Sequence, residues 1–392
     1  MHFKRLLQDL LFPVMHKKRA LTLITLISTL LKTKRLSLTA LGRAMASGIK
    51  QRSGIRIVDR FFGNKKLIGE LEAIQSAIAR KIIGMRKSID IIVDWTNVPN
   101  TSFWALRAAV VAQGRAITIM EEVHPEKKLA NRRVQDKFLE SLKRKIPDDC
   151  DVCVLTDAGF HNDWFRKVTS LGWHYIGRVR HGSQKKYCAE KGKSWKTLEH
   201  LSSEAKTSPL FIGLVWLCKS NCLLTHLYTY KSQNKGRKSL NRAGKRKKDT
   251  GSLEYGRAAR EAWILASSLP PEKCRPIEVV KRYFNRMQIE EGFRDLKSSK
   301  YGFGLEHCLT RKIDRFKIIL LLAMIAAYYA WIIGFLAEIN KLQYDYQSNS
   351  IKTRRSLSFF FLGCEIIRGE KDISIILRAI AHEESTHDQQ DC

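Results

Sequence analysis

The chain has 392 residues, with 70 Lys plus Arg against 38 Asp plus Glu and a formal charge of +32. That surplus favours a polyanionic partner bound through counterion release, as in nucleic-acid-binding, ribosomal or anionic-membrane proteins, and says nothing about sequence preference. Nine cysteines, an odd number, speak against a disulfide framework, and the length predicts roughly two to four domains, each burying a core.

The N-terminal stretch 1-MHFKRLLQDLLFPVMHKKR-19 places charges inside its apolar part and lacks a small-residue cleavage site, so it does not read as a signal peptide. Residues 20–32 form an amphipathic-to-apolar helix. The segments 37–46 and 54–64 read as two shorter helices joined by a turn that carries Lys50 and Arg52. Arg56, Arg60, Lys65 and Lys66 decorate the second helix and its exit, as in a helix-turn-helix whose second helix enters a major groove. The alternative is a small helical pair with a solvated basic face. Residues 1–80 are thus expected to be an all-α DNA-binding domain.

From 85 to 182 strands and helices alternate. The apolar run Ile91, Ile92, Val93 ends on Asp94. Residues 104–114 and 115–123 read as antiparallel strands around Gly114, and 132–145 as a helix. The strand 151-DVCVLTDAGF-160 ends on Asp157 before a turn glycine. A helix at 162–172 and a strand at 173–180, carrying Arg178 and Arg180, complete the pattern. Three strands, a helix and a strand ending in a carboxylate match the order of a ribonuclease H-like α/β core. A carboxylate at the end of a buried strand stands where a sheet opens toward ligand, although either Asp could instead cap a turn. Cys150-x2-Cys153 and Cys218-x3-Cys222 have zinc-like spacing, but Cys153 sits inside an apolar strand. Reduced, buried cysteines are the expected state.

Residues 183–274 read as a β-rich insertion with strands at 209–219, 221–231 and 262–269. Between the last two lies 235-KGRKSLNRAGKRKK-248, with eight basic residues and no acid. It reads as a solvated loop without DNA that can order on a phosphate backbone.

The core resumes over 275–340 with 283-YFNRMQIEEGFRDLK-297. On one helix, Tyr283, Arg286, Glu290 and Lys297 fall within roughly 60° of one another at about 100° per residue. They form a polar stripe beside Ile289, Phe293 and Leu296, while Glu291 points away. The alternative is a solvated face with i,i+4 ion pairs. Residues 318–337 are uncharged and long enough to span a bilayer; as a single such stretch close to the Glu290 helix, it reads as a buried core helix. No membrane partner is expected. Residues 341–392 continue with helical patterns at 353–369 and 373–384 and a polar tail, a region where a second protomer could dock.

Asp94, Asp157 and Glu290 supply three hard oxygen ligands without His or Cys, a set that suits Mg²⁺, with Mn²⁺ as substitute, rather than zinc. Two divalent ions can activate a water, stabilise a pentavalent phosphorus and assist the leaving oxygen. Asp94 is expected to bridge them, with Asp157 on one and Glu290 on the other.

The segments 88–98, 154–160, 263-WILASSLP-270, 301-YGFGL-305 and the Tyr-x2-Arg-x3-Glu-x6-Lys signature at 283–297 are similar to those of the insertion-sequence-four family of bacterial DDE transposases, close to its transposon-ten branch. The resemblance weakens over the last 40 or so residues. It implies a ribonuclease H-like fold interrupted by a β-insertion, and an N-terminal region that binds terminal inverted repeats. It also implies excision through a DNA hairpin and joining of 3′ ends to target DNA. In the family two protomers pair with two DNA ends, so a homodimer is expected in the synaptic complex, in a bacterial cytoplasm. Trp263 becomes the candidate platform for a base taken out of the stack. Tyr283, Arg286 and Lys297 become holders of distorted phosphates, and Arg178 and Arg180 backbone contacts. Other readings are a ribonuclease H-like nuclease or resolvase without strand transfer, and an inactive DNA-binding remnant.

Overall fold

The computed structural model describes residues 2–45, 48–180, 185–191, 193–233 and 261–369. Five helices precede the first strand: α1 (His2–Leu11), α2 (Lys17–Thr33), α3 (Leu38–Ala44), α4 (Gln51–Phe62) and α5 (Lys65–Ile83). Side-chain caps start three of them, the first being α2, where the His16 ring accepts the Lys18 N–H. Ser37 accepts the Ala40 N–H ahead of α3, and Asn64 accepts those of Lys66 and Leu67 ahead of α5. The α3–α4 pair expected from the sequence is present. It packs closely because Gly42 faces Gly54, where an added Cβ would meet the Gly42 carbonyl oxygen at 2.1 Å.

The strands β1 (Ser88–Asn97), β2 (Phe103–Val111) and β3 (Ala116–Pro125) form an antiparallel meander that turns at Gly114, whose φ is +70°. After α6 (Arg132–Lys143), β4 (Asp151–Thr156) pairs parallel to β1. After α7 (Asn162–Ser170), β5 (His174–Arg178) pairs parallel to β4. The order β3-β2-β1-β4-β5 is the ribonuclease H-like core.

The insertion supplies β6 (Lys186–Cys188), β7 (Lys196–Thr197), α8 (Leu198–Glu204), β8 (Leu210–Leu217), β9 (Leu223–Tyr230) and β10 (Trp263–Ser267). It does not stand apart from the core. β10 pairs antiparallel with β5 on one side and β9 on the other, so among the described residues one ten-stranded sheet runs β3-β2-β1-β4-β5-β10-β9-β8-β6-β7. The free edge of β5 is thereby covered by the insertion's own strand. The basic run at 235–248 lies outside the described residues.

The chain returns through α9 (Pro276–Phe284), α10 (Met287–Lys297), α11 (Ile313–Ile339), α12 (Gln343–Tyr346) and α13 (Phe359–Gly369). Alternation along β1 and β4 sorts the core into two faces. Ile92, Cys153 and Leu155 pack with Val279, Val280, Tyr283, Ile289 and Phe293 of α9 and α10. Ile91, Val93, Val152 and Val154 belong to a second cluster that reaches α6, α7, the N-terminal helices, α11 and α13. Of the apolar stretch in α11, 78% is buried inside the protein, as expected of a core helix. The helix crosses α13 closely: an added Cβ at Gly334 would lie 1.9 Å from the Phe359 carbonyl oxygen, and one at Gly363 equally near that of Ala330. Shared burial thus joins the expected N-terminal and C-terminal regions to the sheet. The helix expected at 353–369 begins at Phe359, and the one at 373–384 lies outside the described residues.

Candidate active site

Asp94 stands where two strands part. The parallel pairing of β1 and β4 ends at Val93 opposite Thr156, so Asp94 and Asp157 are the next residues on neighbouring strands. Asp157 leaves the sheet in a turn in which its Oδ1 accepts the Gly159 N–H at 2.8 Å. The turn-capping reading of Asp157 is therefore correct, and it leaves the second carboxylate oxygen for other partners.

With a period of two, Asp90, Ile92 and Asp94 share the face of β1 that carries α9 and α10. The return segment answers this spacing. Arg282 pairs with Asp90, and Arg286, four residues later, has Nη1 3.4 Å from Asp94 Oδ2. The other terminal nitrogen of Arg286 donates to Glu290 Oε1 at 2.5 Å. Arg286 thus bridges two of the three expected ligands.

The single helix predicted over 283–297 is broken. α9 ends at Phe284, and α10 starts at Met287 after a turn at Asn285 and Arg286. Gln288 and Ile289 there bond back three residues, to the Asn285 and Arg286 carbonyls. Tyr283, in the last turn of α9, lies 3% exposed in the core rather than on a solvent stripe. Its phenol is pushed well above the ordinary range by burial. Arg286, Glu290 and Lys297 do gather near Asp94. Glu291 points elsewhere, as expected, and pairs with Arg294 and Arg115.

Electrostatics mark Asp94 as the strained charge of the group. Burial, then the nearby Asp157, pushes its carboxyl up from 3.8 to about 7, against the opposing pull of Arg286 and the Trp95 N–H. Burial alone would lower the Arg286 guanidinium, yet Tyr283, Glu290 and Asp94 hold it above its ordinary value. Lys297 donates to Thr96 Oγ1 and Asn97 Oδ1, each at 2.7 Å, and burial followed by Arg107 brings its ammonium down to about 8.

The donor set of Asp94, Asp157 and Glu290, all carboxylate oxygens, fits a hard divalent cation. As arranged, however, no three His, Cys, Asp or Glu side chains among the described residues are gathered closely enough to share one ion. Glu290, 48% exposed, is held by Arg286 instead.

The remaining expected contacts separate. Trp263, on β10, is half-buried in an aromatic cluster, with ring centroids 4.9 Å from Tyr283, 4.6 Å from Phe284 and 5.7 Å from Tyr230. Arg178 pairs with Glu261 at 2.6 Å, while Arg180 is exposed. Arg56 and Arg60 are exposed on α4, in line with Arg52. Cys153 is buried within β4, and burial raises its thiol.

Sequence reasoning missed two features. Arg107, paired across the sheet with Asp94, forms a buried ion pair with Glu121 at 2.7 Å, and its guanidinium lies over the Phe293 ring of α10. Arg107 stands between Leu106 and Ala108 in an otherwise apolar run, the one signal that could have revealed it; Glu121, followed by Glu122, carries no such mark. Phe284, 43% exposed beside Trp263, is the most accessible ring of the aromatic cluster that Trp263 anchors.

Among solved structures, the chain is similar to a piggyBac transposase in a synaptic complex with hairpin DNA, solved by cryo-electron microscopy. The identity is 13% and the TM-score 0.43, over 93% of this chain and 72% of that one. None of the curated proteins matches. The transposase DDE domain model matches residues 86–329, which span the strands and helices that carry Asp94, Asp157 and Glu290. The chain therefore belongs to the DDE transposase domain family.

Proposed function

We propose that the protein is a cut-and-paste DNA transposase of the insertion-sequence-four type, with Asp94, Asp157 and Glu290 as its catalytic carboxylates. The observation that supports this most is the placement of Asp94 and Asp157 on diverging parallel strands, under the helix that presents Glu290, within a DDE domain.

The three carboxylates would hold Mg²⁺, or Mn²⁺ in its place, which when bound supplies an activated water and charge stabilisation at phosphorus. Around them the protein's own groups position the strand. Lys297 already points its ammonium at the β1 end beside Asp94 through Thr96 and Asn97. From there it can hold a non-bridging phosphate oxygen. Arg286 offers a fork that matches phosphate geometry. Tyr283, buried against Trp263, positions that ring rather than the phosphate.

The order of events is nicking at the transposon end, attack of the freed 3′-hydroxyl on the opposite strand to form a hairpin, hairpin opening by water, and attack on target DNA. A tight hairpin requires an unstacked base, and the Trp263 cluster offers it an aromatic surface. Arg52, Arg56 and Arg60 form an exposed basic row on α4 suited to the terminal inverted repeats. Two protomers would hold two ends in the synaptic complex.

Incubation with Mg²⁺ and labelled DNA carrying the element's own inverted repeats, resolved on denaturing gels, tests the reading. Nicks, hairpins and excised ends, all lost in Asp157→Ala, are expected. Nicks without hairpins or joined products would favour a nuclease or resolvase. Specific binding without any product would favour an inactive remnant.

A further inference from the structure

We propose that Arg286 is an exchangeable counter-ion: without DNA its guanidinium occupies the place between Asp94 and Glu290 and keeps divalent metal out, and a DNA phosphate draws it away so that metal loads. The proposal rests on the reading of Asp94, Asp157 and Glu290 as metal ligands. It adds that the site is closed until substrate arrives.

The geometry is that of a plug. One terminal nitrogen of Arg286 is 3.4 Å from Asp94 Oδ2 and the other 2.5 Å from Glu290 Oε1, so a single group engages both carboxylates. The Arg286 side chain is 12% exposed and that of Asp94 15%. Two cations cannot share that space with these oxygens at little cost, because their repulsion is weakly screened there. Arginine cannot give up its charge by deprotonation. It must therefore move for an ion to enter.

The surroundings allow that movement. Arg286 sits in the turn between α9 and α10, with one terminal nitrogen 3.4 Å from Met287 Sδ. Met287, Phe284 and Glu290 beside it are exposed, so an open side lies next to the guanidinium. One turn of chain earlier, Arg282 is fixed to Asp90 through two of its nitrogens. That anchor keeps the Arg286 backbone in register with β1 while its side chain changes partner. A phosphodiester offers the guanidinium a bidentate anionic partner, and the vacated carboxylates are then free to take up metal. DNA binding and metal binding would be positively coupled, and by linkage each would strengthen the other.

Mn²⁺ binding to the full chain without DNA, followed by loss of the free-ion paramagnetic resonance signal, tests the exchange without relying on activity. Arg286→Gln is expected to bind Mn²⁺ about tenfold tighter than wild type, the size of a typical coupling between sites. That gain should vanish in Arg286→Gln with Asp94→Asn. Lys297→Gln also removes a nearby positive charge but no bridge, and should gain less than about threefold if direct occupancy, rather than general charge, is the cause. In wild type a blunt DNA duplex of arbitrary sequence should raise the Asp94-dependent affinity, and in Arg286→Gln it should add little. Equal affinities of wild type and Arg286→Gln, both reduced by Asp94→Asn, would overturn the exchange and leave the metal reading standing, as would an equal gain in Lys297→Gln. Absence of Asp94-dependent Mn²⁺ binding in every form, with and without duplex, would remove the metal reading itself.

Discussion

At the scale of single residues, Asp94 carries the clearest physical signature. Burial, then Asp157, pushes its carboxyl up from an ordinary 3.8 to about 7, so the folded state binds the proton more tightly than the unfolded one. The resulting penalty is absent below about pH 4, grows as pH rises, and is complete above about pH 7. In metal-free protein, Asp94→Asn should therefore melt higher than wild type at about pH 8, by an amount on the order of a few kcal/mol, and equally near pH 4. Melting curves in chelator across that range check this; a constant difference would contradict it. Trp263→Ala is expected to leave nicking in place and suppress hairpins on denaturing gels, and equal loss of both would give Trp263 a purely structural role. The candidate carboxylates were legible because Asp94 and Asp157 each end an apolar run, a pattern that survives without coordinates. The bridge from Arg286 was not, since helix spacing predicts which residues share a face and not which of them pair.

Among the elements, the largest departure from expectation is the break between α9 and α10. A 3.6-residue period put Tyr283 on the same stripe as Glu290. In the structure the tyrosine is buried against Trp263, ahead of the turn at Asn285 and Arg286, while Arg286 meets Asp94. Nothing local announces that break: no Pro or Gly interrupts 283–291. On either side of it Arg282 pairs with Asp90 and Arg286 with Asp94 of β1. The meander, the two helices that follow it and the apolar α11 were all readable from periodicity and turn glycines. Continuity of the sheet through β10 was not, because strand pairing over 80 or more residues of sequence leaves no local trace. The glycine crossing of α11 and α13 permits a direct check. Gly334→Ala would push a methyl to 1.9 Å from the Phe359 carbonyl oxygen, and forced separation of the helices should cost about 1–3 kcal/mol or more in chemical denaturation. Unchanged stability would show that the two helices slide apart freely.

Over the whole molecule, a charge of +32 bears on how DNA would be held. Binding to duplex should weaken steeply with salt, and Arg56→Gln combined with Arg60→Gln should flatten the log–log slope by roughly two, one for each lost phosphate contact. An unchanged slope in a titration by fluorescence anisotropy would move the DNA interface away from α4. The central claim, that Asp94, Asp157 and Glu290 together hold the ions for strand cutting, is tested most directly by changing ligand softness. Asp94→Cys, Asp157→Cys and Glu290→Cys should each fail to cut terminal-repeat DNA in Mg²⁺, which shuns thiolate, and regain cutting in the more thiophilic Mn²⁺. Full activity of any of these variants in Mg²⁺ would contradict the assignment of that residue, and activity of all three would contradict the account.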